Sequence, residues 1–416
     1  MQRATPLADG PAGAAGKRAA YVAQGFSPAQ AAAGRAGAPC YPRGSPLVHL
    51  VHVIYHLGIG GGEVFLADLA VALAPRGIRQ QVFCIGPAGP LADRLGAAGV
   101  RVTALGKRTA AGAGTIARLA AALRSARPDV VQLHGEAGLF WGLPAARLAR
   151  APHVVSLVYQ NYPESTAKMR AARLLLPRAH AVIAGSESVR AFAVSSLGAP
   201  ASRTHVVHCG IDIEAFTPRE RPPIREAADA RRLVTVGRLV QRKGHAVALA
   251  ALAGVARARP DVELVIVGDG PERAALERLA AAAGLSRHVS FAGTVWPTRE
   301  VLRGADLFLF PSLDEPQGLA LLEAAASGVP IVASRTGGIP EMVDESSAVL
   351  VPPGDAEALG SAVVRLLADP ARRRALAAAA GRRVHRFDIR AVARRYEAVY
   401  AGLIAPAAIH RGKEPA

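Results

Sequence analysis

Short apolar runs, many of them β-branched, alternate along the chain with longer runs in which Ala, Leu and Arg recur at helical spacing. The apolar runs predict strands over 47–54, 80–86, 100–105, 129–134, 153–158, 180–185 and 204–208. A second series covers 231–237, 262–268, 288–293, 305–310, 329–334 and 347–351. Helices are predicted between them, among others over 63–75, 113–126, 244–259, 272–283, 318–327 and 355–368. Strands that are apolar on both faces, each followed by a helix, predict parallel sheets covered on both sides. The alternation breaks at 209–230, where Pro218, Pro222, Pro223 and many charges leave no strand, so this stretch reads as a linker. The pattern therefore predicts an α/β fold of two doubly wound Rossmann-like domains, 46–208 and 213–387, facing across a cleft. A last helix, 388–404, carries Val392, Tyr396, Val399 and Leu403 on one face and is expected to pack back on the first domain.

Composition narrows the class. Of 416 residues 51% are hydrophobic and 20% charged, which excludes a chain that is disordered throughout. Cys40, Cys84 and Cys209 are scattered; they exclude a disulfide scaffold and fit a reducing, cytoplasmic compartment. The formal charge of +18 raises nucleic acid, an anionic membrane or a phosphorylated ligand as partners. Its distribution matters more: 1–44 carry +4 and 371–416 carry +8, leaving +6 for the rest. Nearly all of it is Arg, so a GC-rich coding bias and a functional basic surface are both open readings. Residues 1–44, rich in Ala, Gly and Pro, lack the apolar core of a signal peptide and read as a flexible extension; 405–416 read as a tail. The uncharged stretch 44–62 contains three histidines and ends in glycines, which argues against a membrane helix. The expectation is a soluble cytoplasmic protein, with peripheral contact to an anionic membrane left open.

Candidate chemistry sits where strands end. Gly58-Ile59-Gly60-Gly61-Gly62-Glu63 follows the first strand and opens a helix, so its backbone can approach an anion closely. Glu63 replaces the last Gly of a dinucleotide fingerprint. Gly268-Asp269-Gly270 fails the same fingerprint and reads as a structural turn. Gly237 to Gly244 places Arg238, a planar fork for phosphate oxygens, five residues before Lys243. The segment PSLDEPQGLALLEAAASGVPIVAS sets Glu315 in a loop and Glu323 inside the next helix, with Gly318 and Leu319 at the helix start. A carboxylate among Leu321, Leu322, Ala324 and Ala325 needs a partner, and a ribose diol would serve. His134 ends a strand, where a substrate contact and a plain structural role are both open. No His/Cys/Asp cluster has metal-ligand spacing, and AGSES is not a hydrolase elbow.

On these residues the sequence resembles the retaining nucleotide-sugar enzymes of glycosyltransferase family 4, with the GT-B fold, over about residues 47–404. The E-x7-E pair Glu315/Glu323 is the most specific mark, and GRL…KG (237–244) the second. The glycine loop and GIDIEAF (210–216) are supporting marks. The opening HVIYHLGIGGGEVFLADLA is similar to enzymes of exopolysaccharide and surface-glycan synthesis. The resemblance implies that Arg238 and Lys243 bind the donor diphosphate and that Glu323 binds the ribose. Glu315 and His134 would meet the donor sugar, Val295 the nucleobase, and Gly61 and Gly62 the diphosphate. The amides of Gly318 and Leu319 would hold phosphate or sugar. It also implies no cofactor and no metal. Three positions depart from the family pattern: Gln317 replaces an aromatic, Cys209 an Asn and Gln132 a His.

The expected reaction moves a sugar from a nucleotide-diphosphate donor to a hydroxyl of a glycan or lipid-linked acceptor. A GT-B epimerase or phosphorylase is a second reading. A non-catalytic sugar-nucleotide or nucleic-acid binder is a third; no basic recognition helix or aromatic platform supports nucleic acid. Residues 165–178 combine Lys168, Arg170, Arg173 and Arg178 with Met169 and Leu174 to Leu176. They read either as a basic amphipathic helix for an anionic lipid surface or as a core-packing helix with a wet basic face.

Overall fold

The computed structural model describes residues 48–106, 112–159, 165–217 and 231–404. The expected extension 1–44, the tail 405–416 and linker residues 218–230 lie outside the described residues. Seven strands form a first sheet: β1 (His49–Ile54), β2 (Arg79–Cys84), β3 (Arg101–Ala104), β4 (Val130–His134), β5 (His153–Val158), β6 (Ala181–Ala184) and β7 (Thr204–Val206). Its order is β3-β2-β1-β4-β5-β6-β7, with every pairing parallel. Six form a second sheet: β8 (Arg231–Val236), β9 (Val262–Val267), β10 (Val289–Gly293), β11 (Leu307–Phe310), β12 (Ile331–Ser334) and β13 (Val349–Val351). Its order is β10-β9-β8-β11-β12-β13, again wholly parallel.

The apolar runs predict these strands because the central ones are covered on both faces. Every residue of β1, β4 and β11 is buried, whereas the edge strand β3 is exposed or half-buried throughout. In both sheets the chain order reverses beside the first strand, between β1 and β4 and between β8 and β11. Loops diverge at such a reversal and leave a crevice at the carboxyl ends of the strands. The loops after β1, β4, β8 and β11 carry the glycine run, the residues that follow His134, the Arg238–Lys243 segment and the Glu315 segment.

The last helix, Ile389–Ile404, crosses back to the first sheet. Val392, Tyr396 and Tyr400 are buried with Leu50, Phe65 and Ile183 in one cluster, and Val399 and Leu403 pack at its edge. Burying an aromatic of this size contributes roughly 1.5–3 kcal/mol. Tyr400 donates to Gln132 Oε1 at 3.2 Å, so the Gln in β4 is one polar partner of this helix. Arg76 and Glu397 form a buried ion pair at 2.5 Å. Among the described residues no helix is long and apolar enough to cross a membrane.

Candidate active site

The second domain supplies the charged part of the site. The 3-10 turn Gln241–Lys243 ends at Gly244, whose φ of 67° is left-handed. A Cβ there would stand 1.9 Å from the Pro311 carbonyl oxygen, so only Gly lets this turn lie against the loop after β11. That approach brings Lys243 Nζ to 2.5 Å from Glu315 Oε2. Ser312 Oγ donates to the same oxygen at 3.1 Å, and Oε1 accepts no bond among the described residues. Glu315 is 4% exposed. Lys243 also lies 5.6 Å above the Phe310 ring. Arg238 is exposed, and its guanidinium makes no bond among the described residues. The Gly268–Gly270 turn is structural: Leu239 N–H donates to the Asp269 carbonyl, and the turn props the Arg238 loop from behind.

Gly318 caps the helix Leu319–Ala326 with φ 100°, and a Cβ there would come within 2.8 Å of the Phe310 ring. The first amides of this helix therefore open beside Glu315. One turn on, Glu323 is half-buried and accepts from Thr298 Oγ1 at 2.7 Å. Burial pushes its carboxyl up to about 7, against the lowering pull of Thr298; the nearby Asp68 adds to the rise. Thr298 and Val295 share one short loop, so the positions expected at ribose and base lie together. Val295 and Leu319 pack on the same core cluster.

The first domain supplies the glycine loop. Its helix, Gly61–Leu73, begins two residues before the expected start, which puts Gly61 and Gly62 in the first turn. A Cβ on Gly61 would lie 3.6 Å from Leu319 Cδ1, so the two domains' loops meet here. A Cβ on Gly62 would lie 3.4 Å from the Tyr159 ring. His134 is 2% exposed, with both ring nitrogens engaged inside the first domain. Nε2 is 3.0 Å from His52 Nδ1, and Nδ1 is 2.9 Å from the Tyr159 hydroxyl. The imidazole expected at the sugar thus has no free polar atom in this arrangement, because β4 turns it between β1 and the residue that follows β5. Among the described residues no three His, Cys, Asp or Glu side chains stand together as metal ligands.

Known proteins resemble this chain in both halves. The model described as Glycosyltransferase Family 4 matches residues 59–215, and that described as Glycosyl transferases group 1 matches 216–383. The 2-deoxystreptamine glucosyltransferase of Streptomyces kanamyceticus is 30% identical over 361 residues, 74% of this chain and 90% of that protein. The chain belongs to glycosyltransferase family 4. A second relative is the GDP-mannose-dependent alpha-(1-6)-phosphatidylinositol monomannoside mannosyltransferase of Mycolicibacterium smegmatis. It is 36% identical over 259 residues, 58% of this chain and 67% of that one. Against several other curated relatives the chain spans only about half of their length. The solved structure of Anabaena HepE in complex with UDP and glucose superposes with a TM-score of 0.76 at 23% identity, over 85% of this chain and all of that one. The fold is GT-B.

In this glycosyltransferase the two domains are also joined at the rim of the cleft. Gln317, at the departure from the family's aromatic, donates from Nε2 to the Cys209 carbonyl in the linker at 2.9 Å. Glu341 of the second domain accepts from the amides of Glu187 (3.0 Å) and Ser188 (3.3 Å), at the start of the helix Glu187–Ser195. His208 Nε2 meets the same carboxylate at 2.7 Å. Burial pushes the Glu341 carboxyl up, but the His208 bond and the two amides outweigh it and hold it below its ordinary value.

The basic segment forms the helix Thr166–Leu175, N-capped by Ser165. Its Ala172 and the following Leu176 are buried in the first-domain core, with Met169 and Leu175 packed against them. Arg170, Arg173 and Leu174 face out, and Lys168 pairs with Glu136 at 3.1 Å. Of its large apolar residues Leu174 alone is exposed, at 59%.

Tyr159, Thr298, Ser312 and Glu341 were not anticipated. Tyr159 directly follows β5, so the positional rule that singles out His134 applied to it equally. Thr298 and Glu341 carry no local signal, because their partners lie 25 residues away and across the domain boundary, whereas Ser312 meets Glu315 three residues on, a local pair whose spacing could have signalled it.

Proposed function

We propose that this family 4 enzyme transfers a hexosyl group, with retention and without a metal, from a nucleotide-diphosphate sugar to a hydroxyl of a glycan or lipid-linked acceptor. What supports this most is one convergence. A free Arg238, the Lys243–Glu315 pair and the start of the helix at Leu319 lie on one side, and the Gly61–Gly62 turn meets Leu319 from the other. Breaking the bond between C1 and the phosphate oxygen leaves the electron pair on that oxygen. Two cations and oriented amides lower the energy of that developing charge. The sugar ring becomes cationic as C1 opens, and Glu315 Oε1 is an uncommitted carboxylate oxygen near it. The acceptor oxygen then forms the new bond to C1 on the face the phosphate leaves, and its proton passes to the departing phosphate. Closure of the domains would align these groups and exclude water.

The relatives' names include GDP-mannose and glucosyl transfer, and the solved neighbour holds UDP. A thermal-shift screen across UDP-, GDP- and ADP-sugars therefore comes first, since a ligand that binds the native state raises its melting temperature. Donor alone, donor plus phosphate and donor plus acceptor separate epimerase, phosphorylase and transferase products. The anomeric configuration of the product tests retention. Silence toward every sugar nucleotide would overturn the reading. The outward Arg170 and Arg173 support peripheral contact with an anionic membrane on the cytoplasmic side. Equal sedimentation with neutral and acidic vesicles would count against it.

A further inference from the structure

A polar chain runs inward from Tyr159 and ends on a group that cannot reverse. Gln80 Nε2 donates to the Ala70 carbonyl at 2.9 Å, which leaves its Oε1 facing His52 Nε2 at 3.2 Å. An amide oxygen only accepts, so His52 carries its proton on Nε2. Burial holds His52 neutral, with its value pushed down to about 4, so His52 Nδ1 is an acceptor. Across 3.0 Å the donor must then be His134 Nε2–H. His134, held well below its ordinary value by burial and by His52, is neutral too, so its Nδ1 accepts. The group that meets it at 2.9 Å is the Tyr159 hydroxyl, which must donate.

The other acceptor within reach of that hydroxyl is the Gly62 carbonyl, at 3.4 Å. With the phenolic proton given to His134 Nδ1, the oxygen's lone pairs are what remains. Tyr159 is half-buried at the end of β5. Its ring packs against Gly62 and Gly135, where added Cβ atoms would lie 3.4 and 3.5 Å from it. It shares the cluster around Phe65 and Tyr396 with Leu319 of the second domain. It thus stands where the glycine turn and the helix start converge.

We propose that the Tyr159 oxygen accepts a hydrogen bond from one hydroxyl of the donor hexose, and that His134, His52 and Gln80 are positioning residues that fix its polarity. This rests on the donor reading above. The site would favour a hexose over the analogue lacking that hydroxyl, because fluorine or hydrogen there cannot donate.

Binding of GDP-mannose and UDP-glucose, of their monofluoro-deoxy analogues, and of bare GDP and UDP is to be measured by calorimetry on the full chain. Wild type is expected to bind one deoxy analogue roughly tenfold more weakly than its parent, the range of a single lost hydrogen bond. Tyr159→Phe should weaken the parent by a similar factor, leave the bare nucleotide unchanged, and bind that analogue as wild type does. Gln80→Met, remote from the ligand, should weaken the parent sugar nucleotide and spare the bare nucleotide. If Tyr159→Phe binds the parent as tightly as wild type while nucleotide still binds, the proposal fails and the donor reading stands. If no nucleotide or sugar nucleotide binds wild type, both fall.

Discussion

Lys243 Nζ lies 2.5 Å from Glu315 Oε2, a nearly buried pair between residues 72 positions apart. Removing one member leaves the other charge without its counterion in a poorly solvated place. Lys243→Ala should therefore destabilise the ligand-free protein by about 2–4 kcal/mol in urea unfolding. Arg238→Ala removes an exposed side chain and should change stability by no more than about 0.5 kcal/mol. Both should weaken sugar-nucleotide binding and slow donor turnover. Equal stability of the two variants would show that the pair is not the structural unit described.

Nucleotide affinity should depend on pH through Glu323. Its carboxyl is pushed up to about 7, chiefly by burial. If the donor's ribose sits on Glu323 as proposed, its hydroxyls donate to the ionised form, so binding requires release of the proton below that value. Affinity for a nucleotide sugar, whose diphosphate has no proton to lose in this range, should rise from pH 6 to 8 and then level. Glu323→Gln should bind more weakly and flatten the profile. Calorimetry in buffers of different ionisation enthalpy would count the proton released; a profile identical in the variant would rule Glu323 out as its source.

The Glu341 carboxylate ties the second domain to a helix start in the first. Glu341→Ala should cost about 1–2 kcal/mol and loosen the domains, seen as a larger radius of gyration in solution scattering. Its value is held below the ordinary 4.5, so its contribution is full above that pH and is lost as pH falls through the lowered value. A variant with unchanged scattering and unchanged acid sensitivity would remove this role.

Donor turnover should be the same with and without EDTA. Under the proposed donor reading Arg238 and Lys243 would supply the positive charge that a divalent ion supplies elsewhere. A loss of activity restored by added magnesium would contradict this.

Much of the candidate site was legible because parallel α/β sheets expose their loops by rule. Arg238, Lys243, Glu315 and Glu323 follow β8 or β11, and strand prediction alone places them together once the strand order is known. The departures from the family pattern were legible as letters but not as contacts. Gln317 holds the linker carbonyl of Cys209, and Gln132 receives Tyr400 from the last helix. Neither partner is near in sequence, so no local pattern signals them.

The sequence by itself determined the elements and the fold class, because burial on both faces writes continuous apolar runs and turns require their glycines. It also offered the residue types expected to meet a diphosphate, Arg238 and Lys243, and a donor sugar, Glu315 and His134. Only the tertiary structure decided which of them remain free to do so. His134 is drawn into a chain with His52 and Gln80, and Tyr159 stands at its outer end. The physical reason is that a hydrogen bond depends on distances of about 3 Å between strands far apart in the chain, and only their packing sets those distances.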